Sequence, residues 1–311
     1  MITVVCLSPS LDQTITLDRL IVGGTNRVSG SRRAAGGKGV NVAMTLKLMG
    51  EDVRLALFRH EQGAKPLFDA LDCAGIAVSA IDVPGTLRVN MKLMDASCGV
   101  VTEINEQSEP VPEAAMGQME TAVAEACSDS RWLVLTGSLP KGYPADAYAR
   151  LIRAVRSAAP DCRIALDAEG EPLRLGVMEK PDMIKPNLYE LRLLTGKALE
   201  SETQIGSAAA ELVQSGVGCV LVSMDKDGSL LAGRRGMLRA RAVPVDVSTT
   251  VGAGDALLSG FIRHADAGNR EALAHGVAAA AARVAGRDGE WADYLPMIQI
   301  DVCPMPAETD E

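Results

Sequence analysis

Ser248-Thr249-Thr250-Val251-Gly252-Ala253-Gly254-Asp255 is the stretch of this sequence best fitted to do chemistry. It runs directly into the helix-spaced apolar residues Ala256, Leu257, Leu258, Gly260 and Phe261. Glycines there let the backbone approach a ligand closely. Amide N–H groups at a helix start have no intrahelical acceptor and carry the positive end of the dipole, so they suit the developing charge of a transferred phosphoryl group. A carboxylate at the same place, Asp255, can accept the proton of an attacking hydroxyl while the amides hold phosphoryl oxygens. Taken alone, the segment reads equally well as a turn with Asp255 as an ordinary helix cap.

Gly36-Gly37-Lys38-Gly39-Val40-Asn41-Val42-Ala43 is a second glycine turn that opens a helix. It is not a Walker A loop, because Arg32 stands where the first glycine of that pattern belongs and Gly39 follows the lysine. Its residues suit a polyol: the glycines admit a sugar, Asn41 gives and takes hydrogen bonds, and Lys38 can neutralise a phosphate. In Lys185-Pro186-Asn187-Leu188-Tyr189-Glu190, Pro186 fixes a turn, Asn187 starts a helix and Glu190 can reach back one turn. By itself this is a capping box. Beside a phosphate-transfer site the same oxygens could hold a hydrated Mg²⁺, with Lys185 on nucleotide phosphates. Arg27, Arg32 and Arg33 read equally as a solvated face, lid contacts or phosphate ligands. Serine hydrolase chemistry lacks its G-x-S-x-G elbow, and the histidines His60, His264 and His275 read as surface or helix-packing residues. No His/Cys pair has zinc-ligand spacing.

The elements that must carry these motifs alternate. Strand-like runs at 3–7, 53–58, 76–81, 132–136, 164–167, 183–185 and 217–223 are separated mostly by helix-length segments such as 145–158 and 203–214. A further helix runs from the glycines near 36 to Gly50. This predicts βαβ units, a largely parallel sheet and ligands at the carboxyl ends of its strands. Residues 15–20 with 25–31, and 87–94 with 100–104, alternate in β fashion with no helix between them, the second pair turning at Ala96-Ser97-Cys98-Gly99. They predict a small sheet outside the main one, a lid whose flat outer face can pair with a second subunit; ordinary edge hairpins are the plainer alternative. The expected division is an α/β core over 1–11, 34–85 and 105–311 and a lid over 12–33 and 86–104, with a frayed acidic tail at 304–311.

Composition narrows the partners. With 31 Lys and Arg against 40 Asp and Glu, the net charge of −9 argues against nucleic acid held by general attraction to phosphates. Seven cysteines scattered singly read as reduced cytosolic thiols. No apolar run reaches membrane-spanning length, and the start lacks the basic residues of a signal peptide, so a cytoplasmic protein without membrane partners is expected. Aromatics supply only 3% of the chain, which leaves Ala, Val, Leu, Ile and Met to build a core of helices on a sheet.

The three motifs, in this order, resemble the ribokinase-like (PfkB-type) family of carbohydrate kinases from about Thr3 to about Ala285. Leu7-Ser8-Pro9-Ser10-Leu11-Asp12, Arg88-Val89-Asn90-Met91-Lys92-Leu93 and Thr136-Gly137-Ser138-Leu139-Pro140 are similar to its branch that phosphorylates sugar phosphates. The Gly-Gly-Lys-Gly form is closer to the members acting on fructose 1-phosphate and tagatose 6-phosphate than to the minor fructose 6-phosphate member. The resemblance implies a three-layer α/β/α sandwich with a central, mostly parallel sheet and a small β-sheet lid, ATP and Mg²⁺ as cofactors, and a homodimer through the lids. It implies Asp255 as catalytic base, with Gly252, Ala253 and Gly254 as the anion hole. Asp12, Gly37 and Asn41 would hold sugar hydroxyls, and Lys38, Arg88 and Ser138 the existing phosphate. Lys185, Asn187, Ser223, Asp225, Gly228, Thr250, Gly252 and Gly254 would line the nucleotide, and Asn187, Glu190 (through water) and Asp167 the metal. Phosphorylation of fructose 1-phosphate to fructose 1,6-bisphosphate is the expected reaction. Tagatose 6-phosphate or fructose 6-phosphate as acceptor is the alternative, ahead of a neutral sugar or nucleoside, or a non-catalytic sugar-phosphate sensor. Two departures stand out: Ala168 follows Asp167 where the family often has Ser, and Met224-Asp225 stands where the branch commonly has Leu-Gly.

Overall fold

Short β-branched runs and longer amphipathic segments alternate as expected, and in the computed structural model, which describes residues 1–304, they form one large sheet and one small one. The tail expected over 304–311 therefore lies, beyond Pro304, outside the described residues. The chain begins β1 (Ile2–Cys6), β2 (Ser10–Leu17), β3 (Val28–Gly36), α1 (Lys38–Leu48), β4 (Val53–Gln62), α2 (Lys65–Cys73), β5 (Ala77–Thr86), β6 (Val89–Asp95) and β7 (Val100–Asn105). It continues through α3 (Glu113–Ala126), β8 (Trp132–Thr136), α4 (Ala147–Ala158), β9 (Arg163–Asp167), α5 (Gly170–Met178), β10 (Met183–Ile184), α6 (Leu188–Thr195), α7 (Glu202–Gln214) and β11 (Cys219–Ser223). Last come β12 (Ser229–Gly233), β13 (Gly236–Ala240), α8 (Ala253–His264), α9 (Asn269–Val284) and β14 (Ile300–Cys303). The sequence marks some helix ends sharply: α6 and α7 both open with complete capping boxes, and Gly196 closes α6 in the left-handed conformation.

The large sheet has the order β14-β13-β12-β11-β10-β9-β8-β1-β4-β5. Its strands from β11 to β5 are parallel, and β12, β13 and β14 extend it with antiparallel pairing. Strand-like runs in the sequence stop at residue 223, since the short, Gly-flanked run Ser229–Gly233 carries little strand signal. One core, with Leu151, Ile152, Leu173, Leu191 and Ala208, lies under α3 to α7. The other, with Val40, Leu46, Leu67, Leu258, Phe261 and Leu273, lies under α1, α2, α8 and α9. This is a three-layer α/β/α sandwich. Burying Leu257, Leu258, Phe261 and Ile262, each at most 3% exposed, contributes about 1.5–3 kcal/mol apiece and fixes the helix that Asp255 begins.

The small sheet has the order β3-β2-β6-β7. Two hairpin-like pairs are joined by parallel pairing of β2 with β6, which sets Asp12 beside Asn90 and Thr14 beside Lys92. β2 begins at Ser10, earlier than the alternation at 15–20 suggests, because β3 runs on to Gly36 and pairs Ser10 with it. No described helix is long and apolar enough to cross a membrane.

Candidate active site

β1 feeds β4 on one side of the sheet, while β8 feeds β9 on the other, so a crevice opens at the carboxyl ends of this neighbouring pair. A cavity of about 120 Å³ lies there between Ser8, Lys38, Arg88, Gly137, Ser138 and Glu169. That is room for about four waters, enough for a phosphate group. Lys38 is brought to it by the start of α1, which lies hard against β1: a Cβ on Gly39 would stand 2.5 Å from that of Cys6, and one on Gly37 (φ 103°) 3.2 Å from Cys6 Sγ. The glycines of the second motif thus have a packing reason as well as a binding one. Burial pushes the Cys6 thiol up to about 11, so it is inert beneath the cavity.

The first motif turns at Gly252 (φ 81°) into α8. The amides of Gly252, Gly254 and Asp255 meet no acceptor among the described residues, whereas that of Ala253, expected to act with them, is turned to Thr250 O at 3.3 Å. Asp255 is 5% exposed. Its Oδ2 accepts from Asn41 Nδ2 at 2.9 Å, and Oδ1 takes no hydrogen bond from the described residues. Burial, and next the charge of Asp167, push its carboxyl above the ordinary range; the Asn41 bond, Lys185 and Lys38 oppose that shift. A carboxylate so placed gains from accepting a proton, the property required of a base. The sequence suggests Asn41 as a sugar ligand; its bond to Asp255, across 214 residues of sequence, has no signal there.

Lys185 and Lys38 flank Asp167, with Nζ atoms 3.2 and 3.7 Å from Oδ1. Lys185 is 5% exposed, and its Nζ would lie 3.3 Å from a Cβ on Gly254, so it bridges the third motif to the helix start. Asp167 first, then Glu190 and Asp255, raise the pKa of Lys38 against its burial. Asn187 and Glu190 form the full capping box: Asn187 N donates to Glu190 Oε2 and Glu190 N to Asn187 Oδ1, both at 2.8 Å. Burial is the main cause of a raised Glu190 pKa. Ser223 pairs with Asn187 in a parallel bridge at the end of β11. Asp225 (φ 46°) lies exposed in the turn that follows, Gly228 (φ 94°) leads into β12, and Thr250 stands in the loop before α8. Ser223, Asp225 and Gly228 thus gather at the carboxyl end of β11.

Beneath the small sheet, Asp12 Oδ2 accepts from Lys92 Nζ at 2.9 Å, and Oδ1 from Ser10 Oγ and Asn90 Nδ2. Lys92 was not singled out from the sequence, although strand alternation puts Arg88, Asn90 and Lys92 on one face. The Arg88 guanidinium donates to Ser8 O at 2.9 Å and Pro9 O at 3.3 Å, so it holds the 8–9 loop while lining the cavity. Burial pulls its pKa down. Of the histidines, His264 and His275 stack between α8 and α9, but His60 is a buried strand residue in β4.

Comparison with known proteins places this arrangement. The sequence pattern of the pfkB family carbohydrate kinases matches residues 3–289. The 1-phosphofructokinase of Rhodobacter capsulatus is 35% identical over 298 residues, covering 95% of this chain and 92% of its own. That of Haloferax volcanii is 35% identical over 294 residues, covering 93% and 92%. The crystal structure of Escherichia coli phosphofructokinase-2 in complex with substrates and products superimposes with a TM-score of 0.89 at 25% identity, over 95% of this chain and 99% of the other. A match running from β1 past the end of α9, with relatives aligned over nine-tenths of their length, makes this chain a member of the pfkB family of carbohydrate kinases, phosphotransferases acting on a sugar hydroxyl.

Proposed function

We propose that this kinase transfers the γ-phosphoryl group of ATP to fructose 1-phosphate, giving fructose 1,6-bisphosphate. The observation that carries the reading is the cavity at Lys38, Arg88 and Ser138, with Glu169 also in its wall, whose Lys38 lies within electrostatic reach of the buried Asp255 carboxylate at a helix start. The named activity of the relatives supports it. The substrate's existing phosphate occupies that cavity, and Asp12, Gly37 and Asn41, joined by Lys92, hold the sugar. Asp255 takes the proton of the free hydroxyl at Oδ1 as the phosphoryl group arrives. The amides of Gly252 and Gly254 receive its charge, with Lys185 on the donor's phosphates.

Among the described residues no group of three or more His, Cys, Asp or Glu side chains is poised to bind a metal. Mg²⁺ keeps several waters and binds largely through nucleotide phosphates, so it needs few protein ligands. Glu190 Oε1, which takes no hydrogen bond from the described residues, and Asp167 are the groups that would hold its water shell; Asn187 Oδ1 and Glu190 Oε2 are occupied in the capping box. When bound, Mg²⁺ neutralises charge on the transferring phosphates. A homodimer through the small sheets is supported by Met94, Val100, Val101 and Ile104, large apolar residues exposed on β6 and β7. A cytoplasmic setting, where thiols stay reduced, suits seven unpaired cysteines.

The deciding experiment compares kcat/KM for fructose 1-phosphate, fructose 6-phosphate, tagatose 6-phosphate, fructose and ribose with ATP and Mg²⁺. Fructose 1-phosphate is expected to lead by about 10²-fold or more, about 2.7 kcal/mol of transition-state binding. A lead by fructose or ribose would remove the phosphate-binding role of Lys38 and Arg88.

A further inference from the structure

The helix start that presents Asp255 is held from behind by the end of α9. Val284 O accepts from Ser248 N at 2.8 Å and from Thr249 N at 3.1 Å, and Arg283 Nε donates to Val251 O at 3.0 Å. The guanidinium lies against Gly252: a Cβ there would stand 3.1 Å from Nε and 3.4 Å from Nη2. Its other end is anchored, since Nη1 donates to Asp288 Oδ2 at 2.8 Å. Arg283 is thus a two-ended brace between the turn and the segment that follows α9.

The bond to Val251 O has a directional consequence. In a trans peptide the C=O and N–H of one unit point opposite ways, and no described peptide here is cis. Holding the Val251 carbonyl toward Arg283 therefore turns the Gly252 N–H away from α9. Gly252 N is one of the amides with no acceptor among the described residues. Gly252 (φ 81°) sits in backbone space where glycine is nearly free to rotate, so a peptide plane flanked by it needs an external hold.

We propose that Arg283 is a positioning residue for phosphoryl transfer: by clamping the Val251 carbonyl it fixes the direction of the Gly252 amide, and so the geometry of the anion hole that Asp255 serves. It touches neither substrate nor the reacting atoms. The proposal rests on the kinase reading above, in that it assigns the turn at 252–255 to the transferred group. A misaimed amide weakens charge stabilisation in the transition state more than ground-state binding, so the loss belongs in kcat.

The test uses the full chain with whichever sugar the wild-type protein phosphorylates fastest, so that failure of the fructose 1-phosphate assignment leaves it intact. Asp255→Asn measured alongside tests the parent reading: if that variant retains wild-type turnover, the turn is not the transfer site and both readings fall together. Given a defective Asp255→Asn, Arg283→Ala is expected to lose about 10²-fold in kcat, the scale of losing one anion-hole donor, with each KM within threefold. Added methylguanidinium should restore part of that kcat while leaving the wild type unchanged, a rescue that a purely structural role would not give. Arg283→Lys, which keeps charge but cannot span both partners, should fold even where the alanine variant does not, with kcat about tenfold down. The proposal is overturned if the better-folded of the two variants keeps kcat within twofold of wild type, if its loss appears in KM alone, or if methylguanidinium recovers nothing in a folded Arg283→Ala.

Discussion

Asp255 is an ionisable group placed where ionisation is costly, and among the described residues its side chain takes one hydrogen bond, from Asn41. Its raised pKa has two consequences of defined sign. A carboxyl whose folded pKa lies above its unfolded value binds a proton more tightly in the fold, so its charge destabilises the protein at neutral pH and the penalty fades as pH falls through the folded pKa. Asp255→Asn is therefore expected to melt at a higher temperature than wild type at pH 7.5, with the gap closing on acidification, while kcat drops at least about 10²-fold. Melting curves at pH 7.5 and 5 read the first effect; an unchanged or lowered Tm at pH 7.5 would refute it. The Asn41 bond pulls the same pKa down, so Asn41→Ala should move the acidic limb of the kcat/KM profile to higher pH. A limb that stays in place would mean that Asn41 serves only the sugar.

At the scale of elements, two helix starts converge on the site, and each is pressed against its support by glycine. α1 meets β1 through Gly39, and α8 meets α9 through Gly260 and Gly276. A Cβ on Gly260 would collide with His275 O and stand 2.9 Å from Gly276 Cα, both on helix backbone that cannot swing aside. Gly260→Ala is expected to cost about 1–3 kcal/mol, a Tm drop of several degrees. Because α8 carries Asp255, some kcat should go with it. Wild-type stability in that variant would show that the two helices separate freely.

For the whole molecule, the sheet order decides where a ligand can lie, and the small sheet offers an unpaired edge. β7 is an edge strand exposed along its length, with valine and isoleucine at the surface. If two copies join there, Val100→Glu with Ile104→Glu should halve the mass measured by light scattering at micromolar concentration and weaken sugar binding, since Asp12 and Lys92 stand on the same sheet. A variant with unchanged mass would place the contact elsewhere.

Much of this was legible before any coordinates. The alternation of β-branched runs with helical spacing determined βαβ units and a largely parallel sheet, because strand and helix periods are local properties of the chain. Glycine turns followed by helices marked both convergent helix starts and put Asp255 and Lys38 at them, since a helix terminus is specified by the few residues around it. Asn187 and Glu190 formed the capping box their spacing predicts. The tertiary structure alone decided the partners: Asn41 on Asp255, Lys92 on Asp12, Lys185 and Lys38 around Asp167, and Arg283 behind Gly252. It also decided that Arg88 gives two of its donors to the 8–9 loop and others to Asn90 and Glu106. These contacts join segments from 18 to 214 residues apart, or depend on which donors a fixed backbone leaves within reach. Residue type and local period carry no distance across such separations; the packing of the helices on the sheet supplies it.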